Sequence, residues 1–415
     1  MQAVRDQRLP LVCAYTIEVL TAISVNLLMN GISFYTTRRF GWNTSQNLLL
    51  MMTQGAAYAT GALSAGVLSR HLPKTWLLLG VSAALSALIL AMSFGNSPWV
   101  IIPILLICTF VSTLTWPLVE SLITEGCDAV RMNRRITIYN MCWSGPSVVV
   151  IAAYGTILQY WPAGPMLIPL ICHGIALVAA IVLVKTHRAP SSAVVQQDHG
   201  DATIAAKLAH QRRTTLWLAR LSLPASFVIA NSLMGLFPKL AIASQIGLVW
   251  STVLASLWMA SRFFTFIVLG MTSWWHTRPR LLIGGGLLML LAFLMIVLPA
   301  ERLGLFADRP VWMIVTLIAI AELVLGIVAG FVFSASLYFG MVLSDGSAEH
   351  GSYHEALIGT GMVIGPGLAA GAQAMSSSGS SLPAIAAVST LMVMTLAGAV
   401  TISARSRVGS PNRPA

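Results

Sequence analysis

Charge is what this chain has least of. Only 9% of its 415 residues are Asp, Glu, Lys or Arg, against about 25% in an ordinary soluble domain. So little charge cannot furnish the surface of a soluble globular protein. Cysteine is sparse as well. Cys13, Cys108, Cys127, Cys142 and Cys172 are odd in number and form no C-x-x-C pair, so neither a disulfide framework nor a thiolate metal site is expected. The chain shows no Gly-rich phosphate loop, no nucleophile–base constellation, no metal-ligand cluster and no redox motif. Neither enzyme activity nor a cofactor is expected.

Apolar length is what fills the chain. Hydrophobic residues make up 57% of it. They gather in twelve stretches at about 11–35, 46–68, 75–95, 98–122, 136–158, 165–185, 214–236, 245–271, 279–299, 311–338, 355–375 and 383–403. Crossing a hydrocarbon core of roughly 30 Å takes about 20 helical residues, and each stretch is near or above that. A span must satisfy its own backbone hydrogen bonds, so runs of this length are helices. The sequence reads as an all-α integral membrane protein with twelve transmembrane helices.

The net charge of +11 is a topology signal. With both termini placed in the cytoplasm, seventeen of the 24 Lys and Arg residues fall inside. Only Arg38, Arg39, Lys239, Arg302 and Arg309 fall outside, and Arg220 and Arg262 lie within spans. The positive-inside rule fixes that orientation and leaves no role for nucleic acid. The first apolar run is too long for a signal peptide and no small-residue cleavage site follows it, so it reads as a retained helix.

One polar interruption, 186–213, separates residues 1–185 from 214–404, with 405–415 as a tail. Pro190, Ser191, Ser192, Gln196, Gln197 and Asp198 give it a linker composition. Its end, from Asp201 to Arg213, reads either as a disordered linker or as a short helix on the inner leaflet surface. The two flanking blocks echo each other. His71-Leu-Pro-Lys-Thr-Trp-Leu-Leu-Leu-Gly80 resembles His276-Thr-Arg-Pro-Arg-Leu-Leu-Ile-Gly-Gly285, and Ser144-Gly-Pro-Ser147 matches Ile364-Gly-Pro-Gly367. A duplicated six-helix unit, two pseudo-symmetric bundles, is the reading that keeps this order.

These features resemble the major facilitator superfamily, and the resemblance covers nearly the whole chain. Three observations carry it: the six-plus-six plan with a basic central loop, the loop after span 2, and a Gly-Pro pair in span 5. The loop, Gly66-Val-Leu-Ser-Arg-His-Leu-Pro-Lys74, is similar to the family signature G-x-L-x-D-R-x-G-R-K. Gly66, Leu68 and Lys74 keep the pattern, whereas Arg70 occupies the aspartate position, His71 the arginine and Pro73 the second glycine. Gly145 and Pro146 are similar to the motif of the family's drug:proton antiporters, without some of its glycines, and Gly365 and Pro366 repeat the pair in span 11. Both pairs read as hinges or as close-packing surfaces. The resemblance implies alternating access, with spans 1, 4, 7 and 10 lining a central cavity and spans 3, 6, 9 and 12 facing outward.

A charge near the bilayer centre costs roughly 2.5–3.5 kcal/mol on insertion scales and marks a functional site by default. Glu18, Glu120, Arg220, Arg262 and Glu322 lie within spans, and spans 3, 6, 9 and 12 hold no Asp, Glu, Lys or Arg. At the 1.5 Å rise of a helix, Glu18 sits about 10 Å and Arg220 about 9 Å from the inner side. An ion pair between them is expected. Glu322 lies about 16 Å in, near the midplane, and is the first candidate for a coupling proton, with Glu18 second. It reads alternatively as a carboxyl held neutral by helix–helix hydrogen bonds. The resemblance also implies a cytoplasmic gate in which Arg70 or Lys74 pairs with Glu120. Arg262 reads as a cavity residue or as an interface anchor. His350, His354 and Glu355 cluster at what reads as a water-exposed loop, and no metal site is expected there.

The cavity helices also offer Asn26, Asn30, Trp116, Asn231, Phe331 and Phe333. Aromatic groups with scattered amides suit a small amphipathic organic molecule. The expected protein is a monomeric, proton-coupled secondary transporter in the bacterial-type inner (plasma) membrane, exporting such compounds. A symporter for a sugar, nucleoside or organic anion is the alternative, with Arg220 as the cavity residue that would bind an anionic group bidentately. A membrane sensor that has lost transport is the reading from another class.

Overall fold

The computed structural model describes residues 8–187, 202–278, 280–344, 347–375 and 381–408, and among them helix is the only regular structure. The first apolar stretch becomes α1 (Arg8–Val25), a π-helical turn (Asn26–Asn30) and α2 (Ile32–Phe40). Next come α3 (Thr44–Leu68) and α4 (Lys74–Ser93), then α5 (Pro98–Thr113) with α6 (Thr115–Thr124) in the fourth stretch. The fifth and sixth are α7 (Ala129–Tyr160) and α8 (Gly164–Thr186). The second block holds α9 (Ala202–Leu236), α10 (Ala241–Leu254) with α11 (Leu257–Met271), and α12 (Arg280–Ala300). It closes with α13 (Val311–Leu343), α14 (Ala348–Ala374) and α15 (Leu382–Val408).

Eleven helical segments among the described residues are long and apolar enough to cross a membrane. The second expected span, α3, has the length, at 25 residues, but carries too much Thr, Gln, Asn and Ser to be among them. Its polar groups are used internally: Asn47 accepts a hydrogen bond from Thr36 (2.6 Å) and donates one to Thr37 (2.8 Å). Polar ends are capped locally. Asn43 and Gln46 form a capping box on α3, and Asp128 caps α7. The Arg131 backbone N–H and guanidinium hold the exposed Asp128 carboxyl below the usual carboxylate range.

Two expectations change here. The segment before Arg213 is no separate surface helix. From Ala202 onward it forms the opening turns of α9, while 188–201 lie outside the described residues. Likewise α14 starts at Ala348, not near 355, because Ser347 caps it through the His350 N–H. That brings His354 and Glu355 inside a helix.

Packing repeats between the blocks. In the first, α1 packs on α7 and α8, α5 on α3 and α4, and α4 on α8. In the second, α9 packs on α14 and α15, α13 on α11 and α12, and α12 on α15. Each pair has its counterpart six spans later. The blocks are joined chiefly by α3 against α14 and by α7 against α10 and α11, with α6 against α14, α9 against α3 and α13 against α7 beside them. The outer helices α4, α8, α12 and α15 expose Leu90, Ile171, Val178, Leu287, Val393 and Met394, as helices that meet lipid do.

Glycine makes the inter-block contacts possible. A Cβ on Gly359 would lie 2.6 Å from the Ala59 nitrogen, and one on Gly55 2.6 Å from the Met362 carbonyl carbon. The Gly-Pro pairs break neither helix, since α7 and α14 run straight through Pro146 and Pro366. In this conformation both pairs serve as packing surfaces. They differ in hardness: a Cβ at Gly365 meets Val228 backbone at 2.6 Å, whereas at Gly145 it meets only the Phe263 ring at 3.2 Å. Gly365→Ala is therefore expected to destabilise the purified protein by about 1–3 kcal/mol through overpacking. Gly145→Ala should cost clearly less, because a ring edge can shift. Thermal unfolding in detergent checks this, and equal losses at both positions would contradict it.

Candidate functional site

A cavity of about 100 Å³ lies between the two blocks. Residues of α1 and its π turn, α3, α6, α7, α9, α11, α13 and α14 line it, and none comes from α4, α8, α12 or α15. Three of the lining spans break where they meet it. In the first, Gly31 N–H bonds to Asn26 O, five residues back (3.0 Å). In the fourth, Leu114 separates α5 from α6, and Trp116 stands in the first turn of α6. In the eighth, Ala255 and Ser256 separate α10 from α11, and Trp258 stands in the first turn of α11. Such breaks turn side chains off the regular helical track and are common at functional sites.

The π turn supplies an amide relay. Asn30 Nδ2 donates to Asn26 Oδ1 (2.6 Å), and Asn26 Nδ2 donates to Ala22 O (2.7 Å) and Ser147 Oγ (2.6 Å). Asn231 lines the opposite wall and donates to Phe227 O (3.0 Å).

Arg262 is the cavity's cation. It is 1% exposed, and its Nε and Nη2 have no hydrogen-bond partner among the described residues. Its guanidinium carbon lies 4.5 Å from the Trp143 ring centroid, 4.7 Å from Phe333 and 5.4 Å from Phe227. Phe266 and Trp258 follow at 5.5 and 5.7 Å. Five aromatic faces hold the charge in place by cation–π attraction while two donors remain unused. Arg262 is thus walled in and does not act as an interface anchor.

Beside it lies an acidic cluster that the sequence did not assemble. Glu355 lines the cavity and accepts a hydrogen bond from Tyr58, whose ring stacks on Trp116 at 5.2 Å. His354 Nε2 stands 4.0 Å from Glu355 Oε1, and its Nδ1 pairs with Ser336 Oγ at 3.0 Å. Carboxylate oxygens of Glu120 and Glu355 and a ring nitrogen of His354 all lie within 4.8 Å of one another. Glu18 is fully buried nearby, with Glu355 and Trp116 as electrostatic neighbours. The water-exposed loop expected at His354 and Glu355 is therefore a buried helical turn, with Glu355 in the cavity wall.

Several expected partnerships are replaced. Arg70 pairs with Glu349 at 2.8 Å and Lys74 with Glu125 at 3.8 Å, while Glu120 is buried in the acidic cluster, so in this conformation neither base pairs with Glu120. The Arg70–Glu349 pair is 59% and 46% exposed, and a pair in that setting contributes about 0–1 kcal/mol. Glu349→Gln is expected to leave thermal stability and cysteine labelling at that end nearly unchanged, and a tenfold rise in labelling would show a true latch.

Glu18 and Arg220 do not meet. Arg220 is half-buried over the Trp217 ring (5.8 Å) and borders Tyr353 and His354. Glu322 is buried away from the cavity lining and turns toward the backbone N–H of Trp258. There it serves the freed N-terminus of α11, where an acidic group is favoured. Asn26, Asn30, Trp116, Asn231, Phe333 and Arg262 line the cavity, whereas Phe331 packs toward Trp275 at 6.2 Å.

Comparisons with known proteins agree with this architecture. A model of the Major Facilitator Superfamily matches residues 13–370. A crystal structure of a mutant of the nucleoside transporter NupG is similar over 96% of this chain and 99% of that one, with a TM-score of 0.61 and 12% identity. At that identity the likeness shows the fold alone. No curated protein matches the chain.

Proposed function

The chain belongs to the Major Facilitator Superfamily, and from that premise we propose that it is a proton-coupled secondary transporter that expels small amphipathic organic compounds bearing an anionic group. The observation that carries the substrate class is Arg262: a guanidinium that lines the cavity, ringed by aromatic faces, whose Nε and Nη2 are buried without a hydrogen-bond partner among the described residues. A guanidinium fork binds carboxylate or phosphate bidentately, and the rings around it match an apolar or planar body. The direction follows from the chemistry of such compounds. Weak organic acids enter cells across lipid in their neutral protonated form and ionise inside, so a carrier with an aromatic cavity and a guanidinium is useful for removing the trapped anion.

Coupling is assigned to Glu355, Glu120 and Glu18. Three buried carboxyls beside a single buried arginine hold more acidic sites than fixed positive charge can balance, which favours exchange of protons. Glu355, the one that lines the cavity, connects the exchange to substrate. The proposal includes twelve spans, with α3 as the second, both termini in the cytoplasm, and a monomer in the plasma membrane.

The test is flux into proteoliposomes under an imposed pH difference, using ligands found by thermal shift among organic anions, neutral amphiphiles and cations. Stabilisation by anions with pH-driven flux is expected. Binding without flux would instead support a sensor, and stabilisation by cations alone would overturn the substrate class. A nucleoside is the second reading, favoured by the stacked Tyr58–Trp116 pair and the Asn26–Asn30 amides.

A further inference from the structure

We propose that Glu120, His354 and Glu355 form a binding site for a divalent first-row transition-metal ion that bridges the two halves of the protein. Glu120 comes from α6 in the first block, and His354 and Glu355 come from α14 in the second. Donor atoms of all three lie within 4.8 Å of one another, and all three residues are buried. His354 Nε2 is buried without a hydrogen-bond partner among the described residues. The buried Glu120 carboxyl faces Tyr139 and Glu355. The rest of the ligand set is held by neighbours. Ser336 Oγ fixes His354 through Nδ1 at 3.0 Å, and Tyr58 donates to the other oxygen of Glu355. Outer hydrogen bonds of this kind orient metal ligands and set the histidine tautomer.

The donor set selects the class of ion. One imidazole and two carboxylates suit Zn²⁺, Mn²⁺ or Fe²⁺, whereas Ca²⁺ and Mg²⁺ take oxygen alone and Cu⁺ takes thiolate or thioether. Ligands of a tetrahedral Zn²⁺ stand about 2.1 Å from the metal, hence about 3.4 Å from each other. Small side-chain rotations of about an ångström close the present spacing. Glu18 behind the site adds a further carboxyl, so a divalent charge is electrostatically welcome. A bound ion would tie α6 to α14 and hold the conformation seen here. The site rests on its own geometry, and its failure would leave the transport reading intact.

The test uses the purified full-length protein in detergent. Zn²⁺ affinity is measured by competition with a chromophoric chelator, and the d–d absorption of Co²⁺ reports the coordination geometry. One Zn²⁺ per chain is expected, weakened at least tenfold by His354→Gln and by Glu120→Gln, and unchanged by His350→Ala on the same helix. Ser336→Ala keeps all three ligands and should weaken binding by about 10-fold or more through loss of the supporting bond. It decides the matter should a ligand variant fail to fold. No Zn²⁺ retained by the wild type, or equal loss in His350→Ala, would overturn the site, whatever the flux assay shows.

Discussion

Arg262→Met is expected to make the ligand-free protein more stable and to remove its affinity for anionic substrates. The two effects have one cause. A guanidinium taken from water without a hydrogen-bonded partner loses several kcal/mol of solvation, and aromatic faces return only about 2 kcal/mol. Methionine fills the same ring of aromatics without that loss, so the melting temperature of the empty protein should rise. Glu355, the acidic neighbour of Arg262, is not stranded by the change, since a carboxyl can take up a proton. Removing the guanidinium from a bound anion costs about 2–5 kcal/mol, or roughly 30- to 4,000-fold in affinity at 1.4 kcal/mol per decade. Arg262→Lys should fall between, keeping charge and losing the planar fork. Thermal unfolding with and without substrate measures both. Substrate affinity unchanged in Arg262→Met would remove Arg262 from the site, and lower ligand-free stability would show it to be structurally compensated.

The second large effect concerns coupling. Glu355→Gln fixes the protonated form of the carboxyl that lines the cavity and keeps an acceptor for Tyr58. Exchange of substrate across the membrane should persist, while accumulation driven by a pH difference should fall by at least about tenfold, the loss corresponding to roughly 1.4 kcal/mol of driving force. Glu322→Gln should retain accumulation, because Glu322 turns to the Trp258 backbone and not to the cavity. The opposite result, accumulation lost in Glu322→Gln and kept in Glu355→Gln, would return the proton site to span 10. Proteoliposomes loaded at one pH and diluted into another provide both readings from one preparation.

Glu322 shows what depth alone leaves out. The midplane position near 16 Å is a property of sequence distance, and it is sound as far as it goes. What it lacks is the break at Ala255 and Ser256, which leaves N–H groups for a carboxyl to serve. Glu355 fails in the other direction. It looked exposed because it opens an apolar run, yet it shares a helical face with Gly351, Gly359, Met362 and Pro366. Gly359 and Met362 on that face pack on α3 and Gly351 packs on α6, and the glycines at four-residue spacing on either side of Glu355 were the signal in the sequence that placed it inward.

The sequence by itself determined that this is a helical membrane protein of the major facilitator superfamily, and it determined where most of its helices run. Insertion depends on hydrophobicity summed over about 20 neighbouring residues, so that information is local and survives in a string of letters. It also picked out Arg262, Asn26, Asn30, Trp116 and Asn231 as polar or aromatic groups worth tracking. Only the tertiary structure decided which of them meet. In a soluble helix the apolar stripe reveals the inward face, but in lipid both faces are apolar and that signal is lost. Partners then come from helices remote in sequence: Tyr58 and Glu355 are 297 residues apart. The cage around Arg262 and the Glu120–His354–Glu355 cluster exist because α6, α7, α11, α13 and α14 converge at breaks in the bundle, and no local pattern records where separate helices converge.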